Sequence, residues 1–149
     1  MEIVNRKAGF DYEILETIEA GLVLVGCEVK SIRAGNASIK ESYARVKGSE
    51  IYLVNMYIAP YAQGNRHNPP ETRERKLLLK RSEINKLIGR IQQKRLYLFP
   101  LKVYVKRNRY VKVLLGLGKS KKLYDKKETK KQKAIDREIQ REFTIRKSF

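Results

Sequence analysis

The chain has 149 residues, with 34 Lys+Arg against 16 Asp+Glu and a formal net charge of +18. That length suits one domain with a buried core, and a hydrophobic content of 42% excludes a wholly disordered polycation. One cysteine (Cys27) and one histidine (His67) exclude a disulfide framework, a multi-Cys zinc site and paired-His metal chemistry within one chain.

Taken in order, Tyr12–Ile18 reads as a strand of mixed periodicity, and Glu19-Ala20-Gly21 as a turn. Leu22–Val25 is a short β-branched strand. Cys27–Ala34, with Val29 and Ile32 three apart and Gly35-Asn36 behind, predicts a short helix. Tyr43–Lys47 and Glu50–Val54 flank Gly48-Ser49, a hairpin signal, and Met56–Ile58 continues as strand. Residues 60–75 form a long loop rich in Pro, Gly and Asn, carrying Arg66, His67, Arg73 and Arg75. Ser82 is a good N-cap for a helix bearing Ile84, Leu87, Ile88 and Ile91 at amphipathic spacing. Leu96–Phe99 and Leu101–Lys106 are strands separated by Pro100, which marks an edge or a bulge. Tyr110–Gly118 returns as a strand after the turn Arg107-Asn108-Arg109.

Residues 10–118 therefore hold about six strands and two helices: an α+β, sheet-dominant pattern. A small closed or nearly closed barrel hides its edges most economically. The expected division is a β-barrel domain over 1–118 and a basic C-terminal tail over 119–149. Lys119 to Lys133 contains eight lysines and one strongly apolar side chain, Leu123, too little to fold alone. Beyond it, Ile135, Ile139 and Phe143 recur every four residues as a narrow apolar stripe, marginal as an isolated helix.

The charge is divided unevenly. Residues 1–60 carry 7 basic and 8 acidic side chains, residues 61–118 carry 15 and 3, and residues 119–149 carry 12 and 5. The net values are −1, +12 and +7. Such a balance calls for a polyanionic partner: RNA, DNA or an anionic membrane surface. The longest apolar run, Ala20–Cys27, is eight residues, and Met1–Arg6 lacks the order of a signal peptide. A soluble intracellular protein is expected.

Catalytic motifs are weak. Cys27 and His67 form the one Cys–His option, and each reads more simply as a buried thiol and a surface residue. Glu16, Glu19 and Glu28 lack metal-binding spacing, and Gly116-Leu117-Gly118-Lys119-Ser120 lacks the full phosphate-loop pattern. No enzyme, metal or cofactor is expected. What remains is a basic surface with nine tyrosines. Tyr97, Tyr104 and Tyr110 lie near Lys102, Lys106, Arg107, Arg109 and Lys112, where a basic outer strip can stack unpaired bases. Core or rim filling is an equal reading for each tyrosine taken singly.

Several blocks resemble one family. They are Asn5-Arg6-Lys7-Ala8, Glu19-Ala20-Gly21, Gly26–Gly35, Ser42-Tyr43-Ala44, Arg75–Leu79, Gly118–Lys122 and Tyr124–Lys127. In this order and spacing they are similar to the SsrA-binding protein (small protein B) family, over about residues 5–130. The resemblance implies an OB-fold-like barrel with flanking helices. It implies a non-enzymatic adaptor that binds the tRNA-like domain of transfer-messenger RNA and brings it to the empty A site of stalled ribosomes, in trans-translation. The implied setting is the bacterial cytoplasm, with a monomer as the acting form. An indirect partner is the elongation factor that carries aminoacyl-tRNA.

By the same resemblance, Asn5, Glu19, Leu78 and Lys112 match positions on an RNA-binding face. Leu78 packs beneath a base or is core; both readings stand. Arg6, Lys7 and Gly21 join this set. Lys30, Arg33, Arg75, Lys76 and Lys119 are expected phosphate contacts, and Glu28 either faces RNA or instead caps or pairs with a neighbouring Lys. The tail, unstructured when free in this family, is implied to become helical in the mRNA channel of the small subunit. Phe10, near the decoding site, and Asp125, Lys126, Lys127, Lys130, Lys131, Ile139 and Phe143 are the implied ribosome contacts. Phe10 stands where some members carry His, and Lys127 replaces a frequent Arg, losing its bidentate fork.

Overall fold

In the computed structural model, residues 2–61, 68–107 and 109–121 are described. The chain opens with a short strand, β1 (Glu2–Val4), and a single helical turn, α1 (Ala8–Asp11). There follow β2 (Tyr12–Leu22), α2 (Gly26–Arg33), β3 (Ala37–Ser38), β4 (Tyr43–Lys47), β5 (Glu50–Val54) and β6 (Tyr57–Ile58). The last elements are β7 (Arg75–Leu78), α3 (Arg81–Lys94), β8 (Tyr97–Lys106) and β9 (Tyr110–Ser120). Seven strands form one antiparallel sheet in the order β1-β8-β9-β2-β7-β5-β4, and β3 and β6 pair as a separate ribbon.

Strand alternation builds the core. Leu77, Val103, Val113, Leu115 and Leu117 point inward with Ile51 and Leu53, all at most 2% exposed. α3 supplies Ile84 and Leu87 to the same cluster, as its amphipathic spacing predicts. The sheet curls until β4 packs against β8. These two strands are not laddered to each other, so the barrel is nearly closed. The sheet-dominant α+β class holds.

Several elements differ from the expectation. Nine strands occur among the described residues rather than about six. The extra ones are β1, the two-residue β3, and β7, which lies partly in the segment read as loop. Glu19-Ala20-Gly21 is not a turn but the end of β2, laddered to Leu114, Val113 and Lys112. Gly21 lets β7 approach closely, since a β-carbon there would stand 3.1 Å from the Leu78 β-carbon. Leu22 ends β2, and Val23–Val25 lead into α2 outside any strand, with Val23 and Val25 exposed. α3 begins at Arg81, one residue before Ser82, because the Glu83 carboxylate accepts the Lys80 N–H at 3.1 Å. Pro100 does mark a bulge, since the β8–β9 register shifts between Pro100 and Lys102, yet the strand runs through it. β9 continues two residues past Gly118, pairing Lys119 with Glu13 and Ser120 with Tyr12.

Gly116 and Gly118, the partial match to a phosphate loop, have a packing explanation. A β-carbon on Gly116 would lie 2.7 Å from the Phe99 ring, and one on Gly118 would lie 2.1 Å from the Glu13 carbonyl oxygen. Both let strands and an aromatic ring approach closely.

Candidate nucleic-acid interface

Five strands present one continuous outer face. Residues directly opposite one another across β7, β2, β9, β8 and β1 are Leu78, Gly21, Lys112, Tyr104 and Glu2. The next outward row is Glu19, Leu114, Lys102 and Val4. The alternate residues Leu77, Ala20, Val113 and Val103 are buried, so these two rows must face outward. Leu78 is 52% exposed, which removes the core reading of that side chain. Lys76, two residues earlier on β7, shares this face and lies 3.8 Å from Glu50.

Glu19 is fixed in place on this surface. Its carboxylate accepts hydrogen bonds from the Tyr104 hydroxyl and, at 3.4 Å, from Lys106 Nζ. The Tyr104 bond leads in holding the Glu19 carboxyl below its ordinary range, assisted by the charges of Lys106 and Lys112. In return, burial and the bond to Glu19 push the Tyr104 phenol up to about 12. Lys102 Nζ stands 5.3 Å from the Tyr104 ring centre and 3.5 Å from Glu2. The arrangement therefore holds an ionised acceptor, Glu19, an apolar contact, Leu78, and a cation, Lys112, on one twisted sheet. Such a set meets sugar hydroxyls, base faces and phosphates respectively.

A second cluster is internal. Glu28, on α2, is 2% exposed, and Arg75, on β7, is fully buried. Arg75 Nε donates to Glu28 at 2.6 Å, while its other nitrogens donate to the carbonyls of Met56 at 2.6 Å and Glu71 at 3.1 Å. Arg73 Nε adds a further bond to Glu28 at 3.1 Å, and the Val25 N–H another at 3.1 Å. Burial would raise the Glu28 carboxyl, but the bonds from Arg73, Val25 and Arg75 outweigh it and hold it low. This cluster ties α2, β7 and the segment before β7 together.

The sequence model of the SmpB protein family matches residues 2–145. The chain belongs to the SmpB family. An SsrA-binding protein of Bacillus subtilis (strain 168) is 55% identical over 139 residues, covering 93% of this chain and 88% of the relative. One from Acetivibrio thermocellus is 58% identical over 137 residues, covering 92% and 88%. A solved chain, from work on tmRNA-SmpB as a journey to the center of the bacterial ribosome, is 51% identical with a TM-score of 0.68. That likeness covers 82% of this chain and 85% of the solved one.

The remaining residues expected from the SmpB resemblance are dispersed. Asn5 does not lie beside Glu19 and Lys112. Its Nδ2 donates to the carbonyls of Pro100 at 3.0 Å and Ile39 at 3.4 Å, and its N–H to Leu101 at 2.8 Å. It fastens β1 to the bulged part of β8, and its buried Oδ1 has no hydrogen-bond partner in the structure. Arg75 is corrected from phosphate contact to internal ion-pair partner, since every guanidinium nitrogen is bonded and none reaches the surface. For Glu28 the capping reading holds, since its carboxylate accepts the Val25 N–H at the start of α2, and its ion-pair partners are Arg73 and Arg75 rather than a lysine. Lys30 and Arg33 are exposed on α2, with Lys30 Nζ 5.3 Å from the Tyr61 ring centre.

Arg6 and Lys7 are exposed between β1 and α1, and Phe10 is half-buried on α1. Lys119 is exposed seven residues beyond Lys112 on β9, about 23 Å away at strand rise. His67, Asp125, Lys126, Lys127, Lys130, Lys131, Ile139 and Phe143 lie outside the described residues. Among the described residues no group of three His, Cys, Asp or Glu side chains is arranged to hold a metal, and no helix is long and apolar enough to cross a membrane.

Sequence reasoning did not single out Tyr43, Lys40 and Arg45. They line the seam where β4 meets β8, together with Tyr97, which was expected on the outer strip. Alternation along Tyr43–Lys47 was the available signal, because it puts Tyr43 and Arg45 on one face.

Proposed function

We propose that this protein is the non-enzymatic adaptor of trans-translation. It binds the tRNA-like domain of transfer-messenger RNA through the outer face of β7, β2, β9 and β8. It then brings that RNA to the empty A site of a stalled bacterial ribosome, so that the nascent peptide receives a tag. The observation that carries this reading is the alignment of Leu78, Gly21, Lys112 and Tyr104 across four strands, with Glu19 beside them. The family supports the choice of partner: relatives at 55% and 58% identity are SsrA-binding proteins, and the 51% identical solved chain comes from work on tmRNA-SmpB in the bacterial ribosome.

The chemistry suits a tRNA-like fold. Its elbow displays splayed loop bases and closely spaced phosphates. Leu78 packs under a base or sugar, while the ionised Glu19 accepts from amino groups or 2′-hydroxyls. Lys112 and Lys76 neutralise phosphates and release counterions. Tyr104 and Lys106 hold Glu19 ready, so the carboxylate need not be ordered when RNA arrives.

Residues 122–149, beyond the end of β9, carry 10 basic and 5 acidic side chains and take the second task. They enter the mRNA channel downstream of the decoding site, which is empty when the message has ended, and fold there into a helix. Intact mRNA would occupy the same path, so the tail discriminates stalled from active ribosomes. The protein acts as a monomer in the bacterial cytoplasm, and the elongation factor carrying aminoacyl-tRNA joins through the RNA.

The test is a reconstituted tagging reaction on ribosomes stalled at the end of a message. A chain lacking residues 125–149 should bind transfer-messenger RNA as the full chain does and fail to tag. Loss of RNA affinity on that deletion would contradict the division of labour.

A further inference from the structure

The last strand ends beside the start of the chain. Ser120, at the end of β9, pairs with Tyr12. The next residue, Lys121, donates its N–H to the Asp11 carbonyl at 2.9 Å and its Nζ to the Gly9 carbonyl at 3.0 Å. Asp11 and Tyr12 also line a cleft of about 690 Å³ at the seam of β4 and β8. The chain beyond Lys121 therefore sets out from the rim of that cleft.

The cleft leaves apolar surface uncovered. Its floor includes Leu98 and Phe99, and the Tyr12 ring stacks on Phe99 with centres 4.2 Å apart. Tyr97 on one wall is 52% exposed and Tyr43 on the other 44%. Lys7, Lys40 and Arg45 stand among the lining residues, in excess over two carboxylates, Asp11 and Glu41. These three cations form no ion pair among the described residues, whereas Lys47, Arg81, Arg90, Lys102 and Lys106 each lie on a carboxylate. An apolar floor with surplus positive charge above it complements a short segment that carries apolar side chains next to a carboxylate.

The sequence directly after Lys121 has that composition. It reads Lys122-Leu123-Tyr124-Asp125-Lys126. From Lys119 to Lys133, Leu123 and Tyr124 are the only apolar or aromatic side chains, and Asp125 is the first carboxylate. An extended chain advances at most about 3.6 Å per residue, so Leu123 reaches about 7 Å from Lys121 and Asp125 about 14 Å. So short a tether gives the segment an effective concentration in the millimolar range, and a weak contact suffices to hold it.

We propose that in the free protein Leu123–Asp125 dock in this cleft. Leu123 and Tyr124 cover Phe99 and Tyr97, and Asp125 lies against Lys40 and Arg45. The docked root holds the tail beside α1, and the lysines beyond Asp125 stay outside because the lining is already positive. That the segment must leave the cleft to enter the mRNA channel rests on the function proposed above; the docking itself does not.

The chain has no tryptophan, so Tyr124→Trp places a single fluorescent reporter in the full chain. Its indole should emit at shorter wavelength, and be quenched by acrylamide severalfold less, than in the same variant unfolded in urea. Lys40→Glu with Arg45→Glu, both at exposed positions, should remove that protection with an unchanged melting temperature, as should Tyr97→Ala. Asp125→Lys should remove it as well, and Asp125→Lys combined with Lys40→Glu and Arg45→Glu should restore it. Quenching as strong as in urea would overturn the proposal, as would protection untouched by the Lys40→Glu and Arg45→Glu pair. Protection that grows with protein concentration would place the segment on a second copy and overturn it too. Transfer-messenger RNA affinity, measured separately, reports on the function above, so absence of docking leaves that reading standing.

Discussion

Leu78 lies directly opposite Gly21 across the β7–β2 ladder, and a β-carbon on Gly21 would stand 3.1 Å from the Leu78 β-carbon. The glycine is thus the seat of an exposed leucine. Leu78→Ala should change stability by no more than about 0.5 kcal/mol, as expected for an exposed side chain, yet reduce affinity for transfer-messenger RNA. Gly21→Ala should displace Leu78 and lower affinity in the same direction. Chemical denaturation and filter binding on the same samples separate the two effects.

Lys112 has no ion-pair partner among the described residues and faces outward beside Glu19. Lys112→Ala should weaken RNA binding and reduce the slope of log affinity against log salt by roughly 0.7–0.9, the value for one phosphate. An unchanged slope would remove Lys112 from the phosphate contacts.

The Glu28–Arg75 pair predicts a stability effect without a direct RNA effect. Glu28→Gln leaves a buried guanidinium uncompensated and should cost about 3 kcal/mol in urea unfolding. The pH dependence has a defined sign. The Glu28 carboxyl is held below its ordinary value in the folded state. Its stabilisation is therefore complete above the unfolded value of about 4.3, and is lost as pH falls through the lower folded value. Glu28→Gln should flatten that acid limb of the stability profile.

Two glycines should respond oppositely to alanine. Gly118→Ala places a β-carbon 2.1 Å from a backbone carbonyl oxygen, which cannot swing away as a side-chain tip does. It should cost about 2 kcal/mol by overpacking. Gly89, within α3, has nothing within 4 Å of its β-carbon position, so Gly89→Ala should stabilise by about 1 kcal/mol. Thermal melting of both variants checks the contrast.

Much of this was readable in the chain. The β4–β5 hairpin followed from Gly48-Ser49 between alternating strands, and Gly48 indeed has a φ of 64°. The bulge followed from Pro100. Glu19, Gly21 and Leu78 are reached through family resemblance, because near-neutral net charge over residues 1–60 and one leucine within the run Leu77–Leu79 give no sign of them, whereas Lys112 is readable in the basic strip beside Tyr104. Gly21 misled local reasoning: a glycine after Glu-Ala looks like a turn, and only the strand paired beside it reveals the leucine it accommodates. Arg75 misled in another way. Surface placement is the default for arginine, and its burial depends on Glu28, 47 residues earlier in the chain. Asn5 is similar, since its anchor at Pro100 is 95 residues away.

Competition filter binding in moderate salt tests the central claim most directly, with the full chain, labelled transfer-messenger RNA and an excess of ordinary tRNA. The account predicts that the transfer-messenger RNA stays bound, and that Lys112→Ala and Leu78→Ala weaken it. Equal displacement by ordinary tRNA would contradict the account and make the protein a general tRNA binder.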